Sequence, residues 1–444
     1  MILVCNGMVI THDENNPFIE NGAILIDENI IKEVGRTDEL KAKYGGLEII
    51  DVEGKVIMPG LINTHHHIYS AFARGLNLNN PPAKSFTDIL KNLWWRIDKK
   101  LTEEDNKYSA YTTLIECIKN GVTTVFDHHA SPYAINGSLF TLAKAAENLG
   151  VRGSFCYEVS DRDGNDILEA GIKENIDFIK YAYGRNDDMV KGMFGMHASF
   201  TLSHESLLKC VKAMEEIDAG YHIHVAEGIE DVYDSLNRSG KRVVERLNDY
   251  GILGEKTFAV HCVHVNDREM DILKETNTNI INNPESNMGN AVGCAPVIKF
   301  FEKGLTVGLG TDGYTSDIFE SMKVENITHK ANLCNSNVGF METGIMAFKN
   351  NSKIASRYFK RTIGVLKEGA YADLIVVDYN PLTVMNENNL FGHIFFGMTG
   401  RSVDTTIING KVVMKDRKIL TVNENEILRK SREVSSRLWN RLNS

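Results

Sequence analysis

The chain has 444 residues, 43% hydrophobic and 24% charged, with 49 Lys plus Arg against 59 Asp plus Glu and a net charge of −10. Such usage excludes a disordered, collagenous or membrane-spanning protein, and acidity without basic runs argues against nucleic acid or an anionic membrane as partner. At ~150 residues per domain the length suits about three domains, or one α/β barrel of ~250 residues with a smaller companion.

The first 58 residues predict short strands at Met1–Val4, Met8–Thr11, Ala23–Asp27, Ile30–Val34 and Glu48–Asp51, divided by Asn-Gly, Asp-Glu-Asn and Gly-Gly breaks. The start is not basic and soon turns polar, so no signal peptide is expected. Residues 59–360 alternate short apolar runs with longer helix-like stretches such as Leu139–Leu149 and Gly240–Leu247. A run ending at Asn63, then Thr123–Asp127, Arg152–Tyr157, Met193–Ala198, His222–Ala226, Thr257–Val263, Thr278–Asn282 and Thr306–Gly310 make eight strand candidates. That alternation implies parallel β/α units, most economically a closed TIM barrel, with an open doubly wound sheet as the alternative.

Residues 361–422 return to strand character at Asp373–Asp378 and Thr405–Ile408, with a hairpin expected around Asn409-Gly410. Neither end reads as an independent domain. Residues 1–58 and 361–422 are therefore expected to build one composite β-sandwich around an inserted α/β barrel, with a terminal helix over 423–444. No apolar run reaches the ~18 residues of a membrane span. Seven scattered cysteines without a CxxC pair predict reduced, mostly buried thiols in a cytoplasmic chain.

The chemistry gathers at strand ends. His65 and His67 close the first barrel run, and residues two apart on a strand point the same way, so both imidazoles can reach one cation while His66 points away. In Tyr221-His-Ile-His224-Val-Ala-Glu227, a further imidazole stands three residues before a carboxylate that can move protons. His222 reads as packing, with a second ligand as the alternative. His261 is expected at the barrel mouth and His264 in the following loop. Asp312, between a strand and Gly313, suits a ligand carboxylate. In a parallel barrel all strand C-termini open on one face, so these residues converge there. Three neutral imidazoles and a carboxylate suit Zn²⁺ or Fe²⁺ with a position left for water.

Pro59-Gly-Leu-Ile-Asn-Thr-His65-His-His67, His224-Val-Ala-Glu227, His261-Cys-Val-His264 and Thr311-Asp312-Gly313 resemble the amidohydrolase superfamily, in its cytosine deaminase, guanine deaminase and chlorohydrolase branch. Gly369–Asp378 resembles that family's return strand. Asp127-His-His-Ala-Ser-Pro132 and Tyr157–Gly164 look most like the SsnA aminohydrolases. The resemblance implies His65, His67, His224 and Asp312 as ligands of one divalent metal, zinc first and iron second. It implies Glu227 as proton shuttle and His261 as the group that orients water or steadies the oxyanion. Asp312 would also accept the water proton. His197 and Asp98 stand at positions that face substrate in the family. Asn287 falls in its loop after the seventh strand, as a substrate contact or a loop cap. Of the paired His128 and His129 at the end of the third strand, one is expected to line the pocket, taken as His129, and the other to pack. A homodimer is the implied assembly.

Two departures bear on this. The fourth strand ends in Met196-His197-Ala198, without the lysine of binuclear relatives, which favours a single metal. Asp98 stands where nucleoside deaminases of this kind carry Glu, which weakens the usual ribose recognition. The expected reaction is attack of metal-activated water on an electron-poor carbon of a purine-like heterocycle, with ammonia leaving. Amide or chloride hydrolysis on a related small molecule uses the same parts. A non-catalytic barrel scaffold and a thiol-based partner working through Cys262 are the other readings.

Overall fold

A computed structural model of the protein describes residues 1–78, 80 and 82–444. Eight parallel barrel strands run Leu61–His66, Val122–His129, Arg152–Tyr157, Phe194–Ala198, Tyr221–Val225, Phe258–His261, Asn279–Asn282 and Val307–Leu309. Both faces of these strands are covered, which is why they read as nearly unbroken apolar runs. The helices between them are amphipathic. Ser138–Leu149, for example, buries Leu139, Leu142, Ala143, Ala146 and Leu149 at the three- and four-residue spacing of one face.

The barrel is made of two sheets. Strands one to three pair with a short extra strand, Val190–Gly192, and strands four to eight form the other sheet. The expected fourth strand, Met193–Ala198, is thus divided at its first residue. Val190–Gly192 pairs back with the third strand, and Phe194–Ala198 pairs forward with the fifth. Single bridges, Val159 to Met196 and His66 to Asp312, join the sheets at their two edges.

Closure between the first and eighth strands relies on side chains. Asn63 Nδ2 donates to Thr311 Oγ1 at 2.7 Å and Thr64 Oγ1 to the Leu309 carbonyl at 2.9 Å. Asn351 Nδ2 donates to the carbonyls of Ile62 and Leu309, at 2.8 and 2.9 Å. The amides of Thr311 and Asp312 both reach the His65 carbonyl at 3.0 Å. Gly310 permits this approach, since a Cβ there would meet the His65 backbone nitrogen at 2.9 Å. The sheet is closed, which removes the doubly wound alternative.

Both termini contribute to a nine-stranded sheet. Leu374–Val377 lies antiparallel to Val56–Pro59, joining the C-terminal strands to the N-terminal ones. It is one continuous sheet, bent so that Val4, Ile24 and Ile26 share a core with Leu374, Val376 and Ile407. The expected hairpin is present between Val403–Ile408 and Lys411–Lys415, with Asn409 and Gly410 both at positive φ (52° and 75°), as a two-residue hairpin turn of this kind requires. The terminal helix spans Glu424–Asn443 and lays Val434, Leu438 and Leu442 on Tyr69, Phe72, Ile97 and Leu101.

At the N-terminal end of the barrel, fully buried Arg152 donates to Asp373 from Nε (2.8 Å) and Nη2 (3.2 Å) and to the Asp188 carbonyl from Nη1 (2.6 Å). Its guanidinium lies 4.2 Å from the Tyr371 ring centre. Among the described residues no helix is long and apolar enough to cross a membrane. Five cysteines are buried, Cys294 is partly exposed and Cys334 is exposed.

Candidate active site

The C-terminal ends of strands one, five, six and eight bring His65, His67, His224, His261 and Asp312 together. His67 Nε2 and His224 Nε2 face each other at 3.2 Å. Asp312 Oδ1 stands 3.1 Å from His67 Nε2 and 3.7 Å from His65 Nε2, and its Oδ2 stands 3.6 Å from His261 Nε2. Three corners of the site have left-handed backbone on non-glycine residues: Ala226 (φ 46°), His261 (71°) and Asp312 (57°). Each such residue costs about 1–3 kcal/mol and persists where surrounding structure imposes it.

Every inward nitrogen is aimed by an outer contact on the same ring. His67 Nδ1 donates to the His128 carbonyl (2.6 Å) and His224 Nδ1 to the His197 carbonyl (2.8 Å). His65 Nδ1 meets His222 Nε2 at 2.8 Å, and His261 Nδ1 meets Asn287 Oδ1 at 2.7 Å. Such outer partners fix the tautomer and ring angle of metal-binding imidazoles. Because His67 and His224 spend their Nδ1 hydrogens on carbonyls, their Nε2 atoms meet at 3.2 Å with one positive charge, a proton or a cation, to share between them. His65 Nε2 and His261 Nε2 are also buried without a hydrogen-bond partner. The donor set, imidazole nitrogen plus carboxylate oxygen, fits a divalent transition metal.

The charges agree. Burial opposes a proton on His67, but Asp312, Glu158 and Asp127 outweigh it and carry the ring up to about 10, so this spot attracts positive charge. Burial also opposes ionisation of Asp312, yet His67 and His65 hold its carboxyl well below the usual range. Glu227 behaves oppositely. Burial, with Asp312 adding repulsion, pushes its carboxyl well up. Its Oε2 stands 3.5 Å from His261 Nε2, and Asn290 Nδ2 donates to its Oε1 at 3.4 Å. Burial and charge thus push these two neighbouring carboxyls in opposite directions, Asp312 towards the charged form and Glu227 towards the neutral one.

A cleft of about 770 Å³, counted to open solvent, descends to this cluster. Phe86, Trp94, Trp95, Phe200, Tyr69 and Tyr314 form its walls, and His67, His224, Glu227, Glu158 and Asp312 its floor. Flat aromatic walls over a polar floor suit a planar heterocycle. Trp94 and Trp95 are presented by a π-helical turn, Leu90–Trp94, of the sort that recurs at functional sites.

Residues 56–413 match the model of the amidohydrolase family. The chain belongs to that family. This amidohydrolase is 32% identical over 448 residues to 5'-deoxyadenosine deaminase of Methanosarcina mazei, covering 100% of this chain and 99% of the relative. It is 32% identical over 446 residues to 5-methylthioadenosine/S-adenosylhomocysteine deaminase of Halothermothrix orenii, covering 98% and 99%. In fold it is similar to a zinc-bound adenosine deaminase of Xanthomonas campestris, with a TM-score of 0.87, 19% identity and 98% of each chain covered.

Three expected substrate contacts of this amidohydrolase fall elsewhere. Asp98 is buried outside the cleft and pairs with Arg162 at 3.0 Å; the Arg162 guanidinium lies 4.9 Å from the Trp95 ring centre. Asp98 therefore supports the wall from behind. His129 is fully buried and its Nε2 meets Ser131 Oγ at 2.9 Å, because the register with the third strand turns its neighbour His128 inward instead. Asn287 touches His261, as above, and is not on the cleft surface. His197 does line the cleft, with Nδ1 2.9 Å from Thr201 Oγ1. His222, expected as packing, backs His65 and stacks on His128 at 4.5 Å. His66 points away as expected, 3.1 Å from Ser316 Oγ. Glu158 was not anticipated as a site residue. Its Oε1 lies 3.2 Å from His67 Nδ1 and 3.3 Å from His128 Nδ1, and burial raises its carboxyl to about 7. A carboxylate directly after the apolar third strand was the available signal.

Proposed function

We propose that this amidohydrolase is a metal-dependent aminohydrolase that removes the exocyclic amine of a purine-like ring as ammonia. The observation that carries the reading is Glu227. It is a carboxyl that burial pushes well above the usual range, 3.5 Å from His261 Nε2 and beside the cluster of imidazoles. The deaminase names of the Methanosarcina and Halothermothrix relatives support an aminopurine substrate.

In this reading His65, His67, His224 and Asp312 would hold one divalent cation, zinc first and iron second. Bound there, the ion supplies Lewis acidity that makes water nucleophilic near neutral pH. Asp312 accepts the proton that the attacking water gives up. Glu227 donates a proton to the ring nitrogen next to the attacked carbon, and so draws electrons away from that carbon. His261, between Glu227 and Asp312, has its Nδ1 hydrogen committed to Asn287, so its Nε2 accepts a hydrogen bond from the attacking water and orients it. The C–O bond forms, Asp312 passes its proton to the exocyclic amine, the C–N bond breaks and ammonia leaves, and the remaining hydroxyl proton returns to Glu227. Trp95, Phe86 and Phe200 hold the ring, and His197 borders it. Asp98 lies behind the wall, so a ribose would be recognised by other groups than a carboxylate at that position.

The test is ammonia release by metal-loaded protein from 6-aminopurine nucleosides, free aminopurines and pterins. Release from an aminopurine, lost together with bound metal in His65→Ala, is the expected result. Fully metallated protein that deaminates none of the aminopurines overturns the reading.

A further inference from the structure

Behind the seventh and eighth strands, outside the cleft, lies a second cluster of reactive groups. Cys294 Sγ stands 3.6 Å from His329 Nδ1. The other nitrogen, His329 Nε2, is 2.6 Å from Glu325 Oε1, one turn earlier on helix Ile318–Leu333. Glu325 is fully buried and His329 nearly so, while Cys294 is partly exposed. The cluster leads inward. Asn282 Nδ2 donates to Glu325 Oε2 at 2.7 Å, Asn287 Nδ2 to Asn282 Oδ1 at 2.9 Å, and His261 Nδ1 meets Asn287 Oδ1 at 2.7 Å. One run of buried hydrogen bonds connects a surface-reaching thiol to an imidazole of the active site.

The arrangement is that of an activated thiol. Burial opposes a proton on His329, but Glu325 and Cys294 carry it up to about 10. The protonated ring presents an N–H to the sulfur, at the position from which a histidine serves a cysteine nucleophile. The crevice around the pair is narrow, about 170 Å³, and has no charged side chain besides Glu325 and His329 among the described residues.

We propose that Cys294 is a thiol modification site, oxidised by small hydroperoxides, and that its state reaches His261 through His329, Glu325, Asn282 and Asn287. The Cys294 sulfur, having given its proton to solvent, attacks a peroxide oxygen. The S–O bond forms as the O–O bond breaks, sulfur gives two electrons to the peroxide, and the departing hydroxide takes the His329 Nδ1 proton. The products are a sulfenic acid and water. His329 is left neutral, Glu325 loses its charged partner, and the support of His261 loosens. Only this last effect rests on the proposed deamination.

The test treats full-length protein with limiting hydrogen peroxide and a dimedone trap, read by peptide mass spectrometry, with exposed Cys334 as internal reference. Cys294 is expected to label about tenfold faster than Cys334, with the advantage lost in Glu325→Gln. Equal labelling of the two cysteines overturns the site. Turnover should fall as Cys294 is oxidised and be spared in Cys294→Ser. Full labelling with unchanged turnover overturns the transmission, and the labelling itself requires no activity.

Discussion

Arg152 at one end of the barrel and His65 at the other are both fully buried, but their polar atoms are treated differently. Each Arg152 nitrogen has an acceptor in Asp373 or the Asp188 carbonyl. At the opposite end His65 Nε2, His261 Nε2, both nitrogens of His128 and Glu158 Oε1 are buried without a hydrogen-bond partner. Buried polar groups are normally paired, so a group of exceptions needs a cause. The paired end holds the barrel together. The unpaired end, where Nδ1 of His65, His67, His224 and His261 is each secured from outside, is arranged for a cation and a substrate.

Three substitutions test that contrast. The largest effect is expected from Glu227→Gln, which keeps shape and hydrogen-bond capacity but removes the proton. Turnover should fall about 10²- to 10⁴-fold, in keeping with general acid catalysis, with metal content unchanged in elemental analysis. Normal turnover by this variant would remove the proton role. Arg152→Met should act only on stability. It strands Asp373 as an unpaired buried charge, so about 3–5 kcal/mol should be lost in denaturant unfolding while the folded fraction keeps its metal and turnover. A matching drop in turnover per folded molecule would make the contrast between the two ends false. The smallest effect belongs to Asn287→Ala, which frees the His261 ring. A fall of about 10- to 100-fold in kcat is expected, with KM nearly steady and a shifted pH profile. Recovery in Asn287→Asp would show that the lost contact is the acceptor to Nδ1. An unchanged pH profile would show that Asn287 only caps its loop.

How much of this was legible in the chain depended on distance along it. His65 and His67 could be paired because they are two apart at the end of an apolar run, and Glu227 because it lies one turn from His224. The hairpin at Asn409-Gly410 was legible for the same reason, since its geometry is local. His128 against His129 was not. Adjacent strand residues face opposite ways, and which one turns inward is set by register with Arg152–Tyr157, a non-local property. Glu158 escaped notice because its partner His67 is far away in sequence and a lone Glu after a strand reads as solvated. Asp98 was placed in the pocket by resemblance, whereas its pairing with Arg162 depends on how two loops pack. The division at Met193 left no trace because that residue is as apolar as its neighbours.

The two-sheet construction of the barrel has a consequence for how the protein comes apart. His65 and His67 belong to the sheet of the first three strands, and His224 and Asp312 to the other. An ion bound by all four would act as a rivet across the seam between half-barrels that are otherwise joined by single bridges, by side chains of Asn63, Thr64 and Asn351 and by a few backbone amides. Its binding energy would then appear as resistance to unfolding, growing with free metal by mass action. Chelation would slacken the barrel where it is least continuous, and the thermal midpoint would report how full the site is.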